Sequence, residues 1–509
     1  MAELPLLSVI LGVCLAILYG LGLFSKTSNP RRLPLPPGPK PEFLIGHAKY
    51  LLSGSLWLQY AAWRERFGDI IHLKVPGIHL IALNSYKVAH DLLDLSHKYA
   101  DRHSFVMVDE LMGWEHTTTG HVYGDAWKSH RKLLRPTMSK SAIEKHALSF
   151  EKGMRACLLQ LLHTPEGFEQ HLRLLTGRII VMFTYGLKID SSKDQLIVEP
   201  ETQIARVVDL VLPNQTPLVD IFPFLKYIPS WFPGAAFKRN AKVWKKELAD
   251  MVAHPFNRVK ADMAAGIAVP SLTSKCLEDN PQSENEIMWS AGSMYLAGAD
   301  TTYAILSTFF LAMATHPEVQ KRAQAEIDSV LKAGALPTLA DRANLPYIGC
   351  LLKELQRWRP VVPLAVPHRL MEDDYYGGYF LPKGSIIFPN AWAISQDEAN
   401  YKDPTRFWPE RFEDPETAEL DSYKYAFGWG RRICPGMNLA DATIFITVAS
   451  ILATFDIGKP RDKDGNEVEP EASYGPGLVS GPEGFRCTIR PRSSDKVRLI
   501  KTGAEELPW

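Results

Sequence analysis

A glycine-rich turn towards the C-terminal end presents one cysteine in a position where it could do chemistry. Residues 427–436 read FGWGRRICPG and precede a helical pattern from Leu439 to Phe455. Backbone N–H groups at a helix N-terminus stabilise negative charge, which favours a thiolate at Cys434 and lets its sulfur bind a metal. The glycines let the chain pass close to a flat cofactor, and Arg432 offers a bidentate donor to a carboxylate. A lone cysteine is more often an inert buried residue, so other motifs must decide between the two interpretations.

A second polar group interrupts the long apolar stretch from Leu296 to Ala314. Residues 297–302 read AGADTT, and the small residues among them are typical of close helix packing. An Asp300–Thr301 pair in apolar surroundings is costly without a purpose, and a threonine can hydrogen-bond back to its helix and open a local groove. The residues alone leave both packing and a functional groove open.

Charged and aromatic residues at helical spacing give two further candidates. Glu354 and Arg357 stand at i and i+3, so one helical face carries both charges, and the apolar residues around them indicate a buried pair. Residues 407–412 read FWPERF and supply another arginine, Arg411. Trp127 and Arg131 are four positions apart, which places both on one face of another helix.

Taken together, these strings resemble the cytochrome P-450 superfamily. The haem-binding pattern of that family, FxxGxRxCxG, is matched in this chain at Phe427, Gly430, Arg432, Cys434 and Gly436. The resemblance implies a haem b cofactor (iron protoporphyrin IX) whose proximal iron ligand is the Cys434 thiolate. Such a ligand pushes electron density towards the iron and favours O–O cleavage.

The resemblance also assigns roles to the other motifs. The strings at 354–357 and 407–412 look like the ExxR and PERF motifs, which implies a structural network behind the haem. The string at 297–302 is similar to the distal-helix motif, which implies that Asp300 and Thr301 relay protons to dioxygen. The residues implied as network members are Glu354, Arg357 and Arg411. Those implied as contacts of the haem propionates are Trp127, Arg131, Arg102 and His368.

The fold and reaction follow from the same resemblance. We expect a mainly α fold with small β-sheets behind a single N-terminal transmembrane helix. The reaction is NADPH-driven insertion of one oxygen atom from O2 into a small molecule. A separate NADPH–cytochrome reductase is expected to supply the electrons, with cytochrome b5 as a further candidate donor, because the chain has no GxGxxG fingerprint. The alternatives are a haem-thiolate isomerase or dehydratase that uses no O2, and a non-catalytic haem-binding sensor.

The N-terminal residues predict a membrane anchor. Leu4 to Phe24 is an uncharged run of 21 residues, long enough to cross roughly 30 Å of hydrocarbon. Basic residues follow this run, so the positive-inside tendency places the rest of the chain in the cytosol, on the endoplasmic reticulum membrane. We therefore predict an anchor at 1–25, a basic and proline-rich spacer at 26–41 and a catalytic domain at 42–509. A cleaved signal peptide is the rival interpretation.

Composition excludes several other classes. Lys plus Arg number 57 and Asp plus Glu number 57, so no excess charge favours a nucleic-acid partner. The six cysteines include no CxxC pair, which fits neither a zinc site nor a disulfide framework. The sequon at Asn214 is expected to carry no sugar, because it would face the cytosol.

Three further segments bear on substrate and partners. An apolar enclosed site suits a lipophilic substrate, and the pattern looks most like fungal microsomal members that oxidise terpenoid or polyketide secondary metabolites. Residues 221–233, with a proline every few positions, predict either a buried connector or a segment that enters the lipid interface. Lys128, Lys132 and Arg135 form a basic helical face that is either merely solvated or docks an acidic flavoprotein. The segments expected to contact substrate are Phe105 to Thr119, Tyr295 to Thr302, Val361 to Ala365 and Leu478 to Ser480.

Overall fold

Helices account for most of the chain that the structure describes. A computed structural model describes residues 29–43, 45–51, 54–211, 217–332, 334–475, 477–507 and 509. The predicted anchor run Leu4 to Phe24 and the sequon at Asn214 lie outside the described residues. The predicted fold class, mainly helical with small sheets, is confirmed. Within the described chain, contacts between residues separate two compact units.

The first unit is built around a small sheet and comprises the described residues up to His103 together with Leu364–Ala393. Its helices are α1 (Ala48–Leu51), α2 (Leu56–Phe67) and α3 (Tyr86–Ala89). Its strands are β1 (Ile70–Val75), β2 (Ile78–Leu83), β3 (His368–Arg369), β4 (Asp374–Tyr376), β5 (Tyr379–Leu381) and β6 (Ile386–Pro389). Four of them form a sheet in the order β1-β2-β6-β3, in which only β2 and β6 are parallel.

The β1–β2 hairpin follows from the residue types of its strands and turn. Its strands are rich in isoleucine and leucine, which suit a pleated surface that is partly buried. Gly77 between them has a φ of +78°, a conformation that glycine adopts without steric cost.

The second unit comprises Ser104–Pro363 and Ile394–Trp509. Helices in its first segment are α4 (Asp125–Thr137), α5 (Lys140–Glu144), α6 (Ala147–His163), α7 (Phe168–Tyr185), α8 (Gln195–Val211), α9 (Leu218–Ile221), α10 (Ala236–Ala264), α11 (Leu272–Asp279), α12 (Glu284–Thr315), α13 (Pro317–Val330) and α14 (Pro346–Trp358). The later helices are α15 (Ala391–Ser395), α16 (Tyr423–Ala426), α17 (Met437–Thr454) and α18 (Ser494–Glu506). Short strands β7 (Phe455–Gly458) and β10 (Thr488–Pro491) pair antiparallel, as do β8 (Ser473–Tyr474) and β9 (Pro482–Glu483).

Two apolar helices, α12 and α17, form the centre of this unit. Among the described helices, both are long and apolar enough to cross a membrane, but most of each is buried against the rest of the protein. The predicted helix after Cys434 ends at Thr454, one residue earlier than expected, because Phe455 begins β7 and pairs with Pro491. Burial on all sides removes the amphipathic pattern by which such a helix is usually recognised.

Small residues allow α12 to approach its neighbours closely. A Cβ built on Gly298 would lie 2.5 Å from Ile180 of α7, and one on Gly292 would lie 2.7 Å from Val252 of α10. Any larger residue at these positions would push the helices apart. The packing interpretation of the small residues near 298 therefore holds, and it leaves the neighbouring Asp300 and Thr301 to be explained separately.

Candidate active site

The Cys434 loop curls tightly before α17 begins. A short helical turn spans Gly430–Arg432, and Gly430 has a φ of +49°. The Cys434 backbone N–H donates to the Phe427 carbonyl oxygen at 2.7 Å, which closes the loop. Cys434 therefore stands three residues ahead of Met437, the first residue of α17, as the sequence predicted for a cysteine at a helix start.

The Cys434 side chain is exposed to solvent, although the protein around its sulfur is densely packed. Nevertheless, burial raises the pKa of the Cys434 thiol, while a hydrogen bond from the Gly436 backbone N–H and the charge of Arg131 act to lower it. The sequence-based expectation of a stabilised thiolate considered only the helix terminus, and burial of the sulfur acts against it.

Two arginines lie beside this loop and share one tryptophan. Arg131 of α4 donates from Nη1 to the Ile433 carbonyl oxygen at 2.9 Å, and Arg432 donates from Nη2 to the His121 carbonyl oxygen at 2.9 Å. Their guanidinium carbons lie 6.0 Å and 4.6 Å from the centroid of the Trp127 ring. The structure thus brings together the three residues predicted to bind the edge of a cofactor.

The distal helix opens at the predicted polar motif. Residues 291–296 and 302 of α12 are buried, whereas Ala297 is exposed and residues 298–301 are partly exposed, so this turn is less tightly covered than the rest of the helix around it. The Thr301 hydroxyl donates to the Ala297 carbonyl oxygen at 2.9 Å, and the Thr302 hydroxyl donates to the Gly298 carbonyl oxygen at 2.7 Å. The predicted back-bonding of Thr301 is therefore confirmed.

Asp300 points towards a different neighbour from Thr301. Burial raises the pKa of the Asp300 carboxyl, and the charge of Arg173 on α7 acts to lower it. Arg173 also pairs with Glu201 of α8 at 3.2 Å. Neither Arg173 nor Glu201 was singled out from the sequence, because each stands on another helix and no local spacing connects it to Asp300.

A buried ion-pair network lies behind the Cys434 loop in the same unit. Arg357 donates from Nε and Nη2 to the two Glu354 carboxylate oxygens at 2.7 and 2.8 Å, and Arg411 lies 3.2 Å from the same carboxylate. All three side chains have no exposed surface. Arg357 also donates to the carbonyl oxygens of Ser395 and Pro404 at 3.0 and 2.6 Å. The expectation that the Glu354–Arg357 pair is buried is thus confirmed.

Arg102 and His368 belong to the first unit. Arg102 donates from Nη1 to the carbonyl oxygens of Val366 and Pro367 at 2.6 and 2.8 Å. His368 is buried, and its Nδ1 lies 2.7 Å from the Tyr99 carbonyl oxygen. These contacts connect the two segments that carry Arg102 and His368. Their predicted role towards a cofactor stays a prediction.

Sequence reasoning missed a polar chain between α4 and α12. The His130 ring meets the His121 ring edge-on at 4.7 Å, and its Nδ1 lies 3.0 Å from the Thr118 hydroxyl. The Thr118 backbone N–H donates to the Ser293 hydroxyl oxygen at 2.8 Å. Burial lowers the pKa of His130 to about 4, which keeps the ring neutral near pH 7. The i, i+3 spacing of Trp127 and His130 was the signal that could have placed His130 on the same helical face.

The donor set fits a haem. A thiolate sulfur is an accepted axial ligand of haem iron, and arginines suit bidentate or single hydrogen bonds to carboxylates such as propionates. The Cys434 side chain is exposed, and so is part of the turn at residues 297–301. The donor set is therefore compatible with thiolate ligation of a haem.

Comparisons with known proteins agree with this geometry. A family model described as Cytochrome P-450 matches residues 36–488. Cytochrome P-450 monooxygenase 208 of Postia placenta is 40% identical over 478 residues, covering 92% of each chain. Cytochrome P-450 monooxygenase claR of Ampulloclitocybe clavipes is 39% identical, covering 92% of this chain and 89% of its own. A solved zebrafish cytochrome P-450, in a structure with abiraterone, matches with a TM-score of 0.70 at 22% identity over 86% of this chain and 100% of its own.

Proposed function

Because this chain belongs to the cytochrome P-450 family and is a P-450 monooxygenase, we propose that it acts as a membrane-bound haem-thiolate enzyme on a lipophilic small molecule. It inserts one oxygen atom from O2, using electrons that a separate reductase takes from NADPH. The observation that carries the proposal is the accessible Cys434 sulfur in a desolvated loop beside Arg131 and Arg432. Residues 42–509 form the catalytic domain behind an anchor at 1–25 and a spacer at 26–41.

Cys434 binds the iron of haem b, and the haem supplies the oxygen-activating chemistry when it is bound. Arg131 and Arg432 neutralise the propionate charges, and the Trp127 ring aligns the two guanidinium groups. Arg102 and His368 are proposed as further contacts of the propionates. Phe427 accepts the Cys434 N–H, and Gly436 donates to the sulfur, so both hold the ligand in place.

Asp300 and Thr301 relay protons and position water on the distal side of the haem. The Thr301 hydroxyl donates its proton to the Ala297 carbonyl oxygen. Its oxygen can therefore accept a hydrogen bond from water or from an acid. Asp300 is the nearest acid in sequence, and its buried position favours a carboxyl that can carry a proton. The presence of this pair favours an O2-dependent reaction over the alternative, a haem-thiolate isomerase or dehydratase. Glu354, Arg357 and Arg411 act in folding.

The substrate is proposed to be a terpenoid or polyketide intermediate of secondary metabolism. The described part of the loop at 477–481 approaches α12, since a Cβ on Gly481 would lie 3.0 Å from Ala304. In the same loop, the Ser480 N–H donates to the Val361 carbonyl oxygen at 2.8 Å. Apolar segments around α12 suit an apolar substrate, because a polar group of the substrate that is buried there would lose its water without gaining a hydrogen-bond partner. The fungal relatives are compatible with this assignment.

An exposed apolar surface supports attachment to the endoplasmic reticulum membrane. Tyr227, Trp231 and Phe232 are 78%, 79% and 46% exposed, which argues against the buried-connector interpretation of residues 221–233. Aromatic side chains with one apolar and one polar end favour the membrane interface. Lys238 and Arg239 hold this segment in place, since they donate to the carbonyl oxygens of Lys226, Ile228 and Ser230. Together with the predicted N-terminal anchor, this surface holds the catalytic domain on the cytosolic side of the membrane.

The electron donor is proposed to dock on the exposed side of α4. Lys128, Lys132 and Arg135 are exposed there, while Arg131 of the same helix contacts the Cys434 loop. A basic face so close to the ligand loop suits an acidic surface of NADPH–cytochrome reductase or cytochrome b5.

The experiment for the proposed function is reconstitution with a library of lipophilic metabolites. The full chain in phospholipid vesicles, with reductase, NADPH and O2, is expected to give products that carry one oxygen atom from labelled O2. A Thr301→Ala variant is expected to consume NADPH but form less product, because the hydroxyl that directs protons and water to the site has been removed. Products formed without O2 would support the isomerase or dehydratase alternative and contradict monooxygenation.

A further inference from the structure

Residues 117–121 form a tight turn shortly before α4 begins. The Thr117 hydroxyl donates to the Trp114 carbonyl oxygen at 2.7 Å and accepts from the Gly120 backbone N–H at 3.1 Å. The His121 backbone N–H donates to the Thr117 carbonyl oxygen at 3.0 Å. A Cβ on Gly120 would lie 2.3 Å from the Trp114 carbonyl oxygen, so a larger residue would collide with the backbone there. The backbone of the 117–121 turn is therefore closely defined.

Two buried side chains hold this turn against the neighbouring helices. The Thr118 backbone N–H donates to the Ser293 hydroxyl oxygen of α12 at 2.8 Å, and the Thr118 hydroxyl lies 3.0 Å from Nδ1 of His130 on α4. The Ser293 hydroxyl donates in turn to the Trp289 carbonyl oxygen at 2.6 Å, so its own proton is occupied and its oxygen acts as the acceptor. Ser293, Thr118 and His130 are all buried, so solvent does not compete for these hydrogen bonds.

The turn presents one carbonyl oxygen to the Cys434 loop. Arg432 is buried, and it donates from Nη2 to the His121 carbonyl oxygen at 2.9 Å. The Trp127 ring confines the same guanidinium from another side, with its centroid 4.6 Å away. The His121 ring also meets the His130 ring edge-on at 4.7 Å, which ties the end of the turn to α4. The position of the Arg432 guanidinium therefore depends on the turn, and the turn depends on Ser293 and His130.

We propose that Ser293 is a positioning residue for the haem, because it holds the Arg432 guanidinium beside a propionate through the 117–121 turn. His130 supports the same turn from α4. A positive charge held close to the haem favours the gain of an electron, so this arrangement sets the reduction potential of the bound haem. The proposal rests on the proposed role of Arg432 towards a propionate.

The competing interpretation is that the Ser293 hydroxyl serves helix α12 alone. Serine often donates to the carbonyl oxygen four residues earlier in a helix, and that bond by itself has no consequence for a cofactor. Loss of the hydroxyl would then change stability and leave the reduction potential unchanged. Ser290 is the matched control, since it lies on the same helix, is buried, and its hydroxyl has no hydrogen-bond partner among the described residues.

The first measurement is the reduction potential of the haem-loaded full chain, titrated spectroelectrochemically without substrate or reductase. Ser293→Ala leaves the Thr118 N–H without its acceptor, so the turn loosens and the potential is expected to shift to a lower value. Thr118→Val removes the hydroxyl that contacts His130 and keeps the backbone N–H, and a shift in the same direction is expected. Ser293→Thr restores a hydroxyl that can bond back to the helix, and it is expected to recover the potential. Ser290→Ala is expected to match the unchanged protein.

The second measurement is the rate of haem loss to apomyoglobin from the same variants. Ser293→Ala is expected to lose haem roughly fivefold faster, the size expected from one lost hydrogen bond, whereas Ser290→Ala is expected to lose it at the rate of the unchanged protein. Denaturant midpoints of both variants are recorded beside these rates. Equal rates and equal potentials in Ser293→Ala and Ser290→Ala would overturn the proposal, whatever the midpoints are.

The third measurement tests whether the effect passes through Arg432. The potential shift caused by Ser293→Ala is measured again in an Arg432→Lys background. Lysine keeps the positive charge but lacks the planar guanidinium that the His121 carbonyl oxygen and the Trp127 ring hold, so the shift is expected to shrink. A shift of unchanged size in that background would contradict the proposal. If Ser293→Ala keeps both its potential and the red-shifted Soret band of the reduced carbonyl complex, the proposed function stands and only this positioning role fails.

Discussion

The Arg432 guanidinium lies 4.6 Å from the centroid of the Trp127 ring, although the two residues stand far apart in the sequence. Trp127 also lies 6.0 Å from the guanidinium of Arg131, so one ring orders two cations beside the Cys434 loop. Cation–π contacts of this kind contribute roughly 0.5 to 2 kcal/mol each. We therefore propose that the ring supports cofactor binding through the two arginines.

Replacing Trp127 with leucine is expected to weaken haem retention about tenfold, the equivalent of one such cation–π contact. The measurement is the ratio of Soret to protein absorbance after dialysis against apomyoglobin as a haem acceptor. Trp127→Phe keeps an aromatic ring and is the matched control, for which a smaller loss is expected. Equal retention by the leucine variant and the unchanged protein would argue that the ring has no part in cofactor binding.

Breaking the buried network at Glu354 is expected to be strongly destabilising. Glu354→Gln leaves Arg357 as a buried cation without a carboxylate partner, and it leaves Arg411 with Glu419 alone, at a cost of about 3 to 5 kcal/mol. The expected result is a large fall in the denaturant midpoint and poor yield of folded protein. Glu413→Gln, which removes a half-exposed partner of Arg322, is expected to cost about 1 kcal/mol or less. Similar midpoints for the two variants would be evidence against a folding role for the network.

Stability is expected to depend on the neutral state of His130. Burial lowers the pKa of His130 to about 4 from its ordinary value of 6.5, so the folded protein holds the ring neutral. A depressed pKa in the folded state gives stability that is complete above pH 6.5 and is lost as pH falls towards 4, on the order of 3 kcal/mol in total. Denaturant unfolding at pH 7.5 and pH 4.5 measures this loss. His130→Gln is expected to lose less stability over the same interval, and an identical loss would contradict this assignment.

Charge reversal on the exposed face of α4 is expected to slow reduction by the electron donor. Lys132→Glu with Arg135→Glu replaces two positive charges, so the encounter with an acidic partner loses its electrostatic attraction. Stopped-flow reduction at low and high salt is the measurement, and the difference between the variants is expected to shrink as salt screens the charges. Lys463→Glu, at an exposed turn, is the control for a charge reversal that lies away from α4. A substrate-induced spectral shift identical to that of the unchanged protein shows that the site itself is intact.

The sequence predicted most of what depends on local spacing. The cysteine loop, the Glu354–Arg357 pair and the back-bonded Thr301 are encoded within a few residues, and all three were found where expected. The turn that joins Ser293 to Arg432 was not predictable, because its hydrogen bonds connect residues that lie far apart in the sequence. The effect of burial on Cys434 was also missed, since desolvation depends on the surrounding chain and not on the helix terminus alone.

Thiolate ligation by Cys434 is tested most directly by the spectrum of the reduced protein with carbon monoxide. The unchanged protein and a Cys487→Ala control are expected to give the red-shifted Soret band of a thiolate-bound haem. Cys434→Ala is expected to lose that band, whether or not haem remains bound. A Cys434→Ala variant that binds haem and keeps the red-shifted band would place the proximal ligand elsewhere and contradict the assignment of this site.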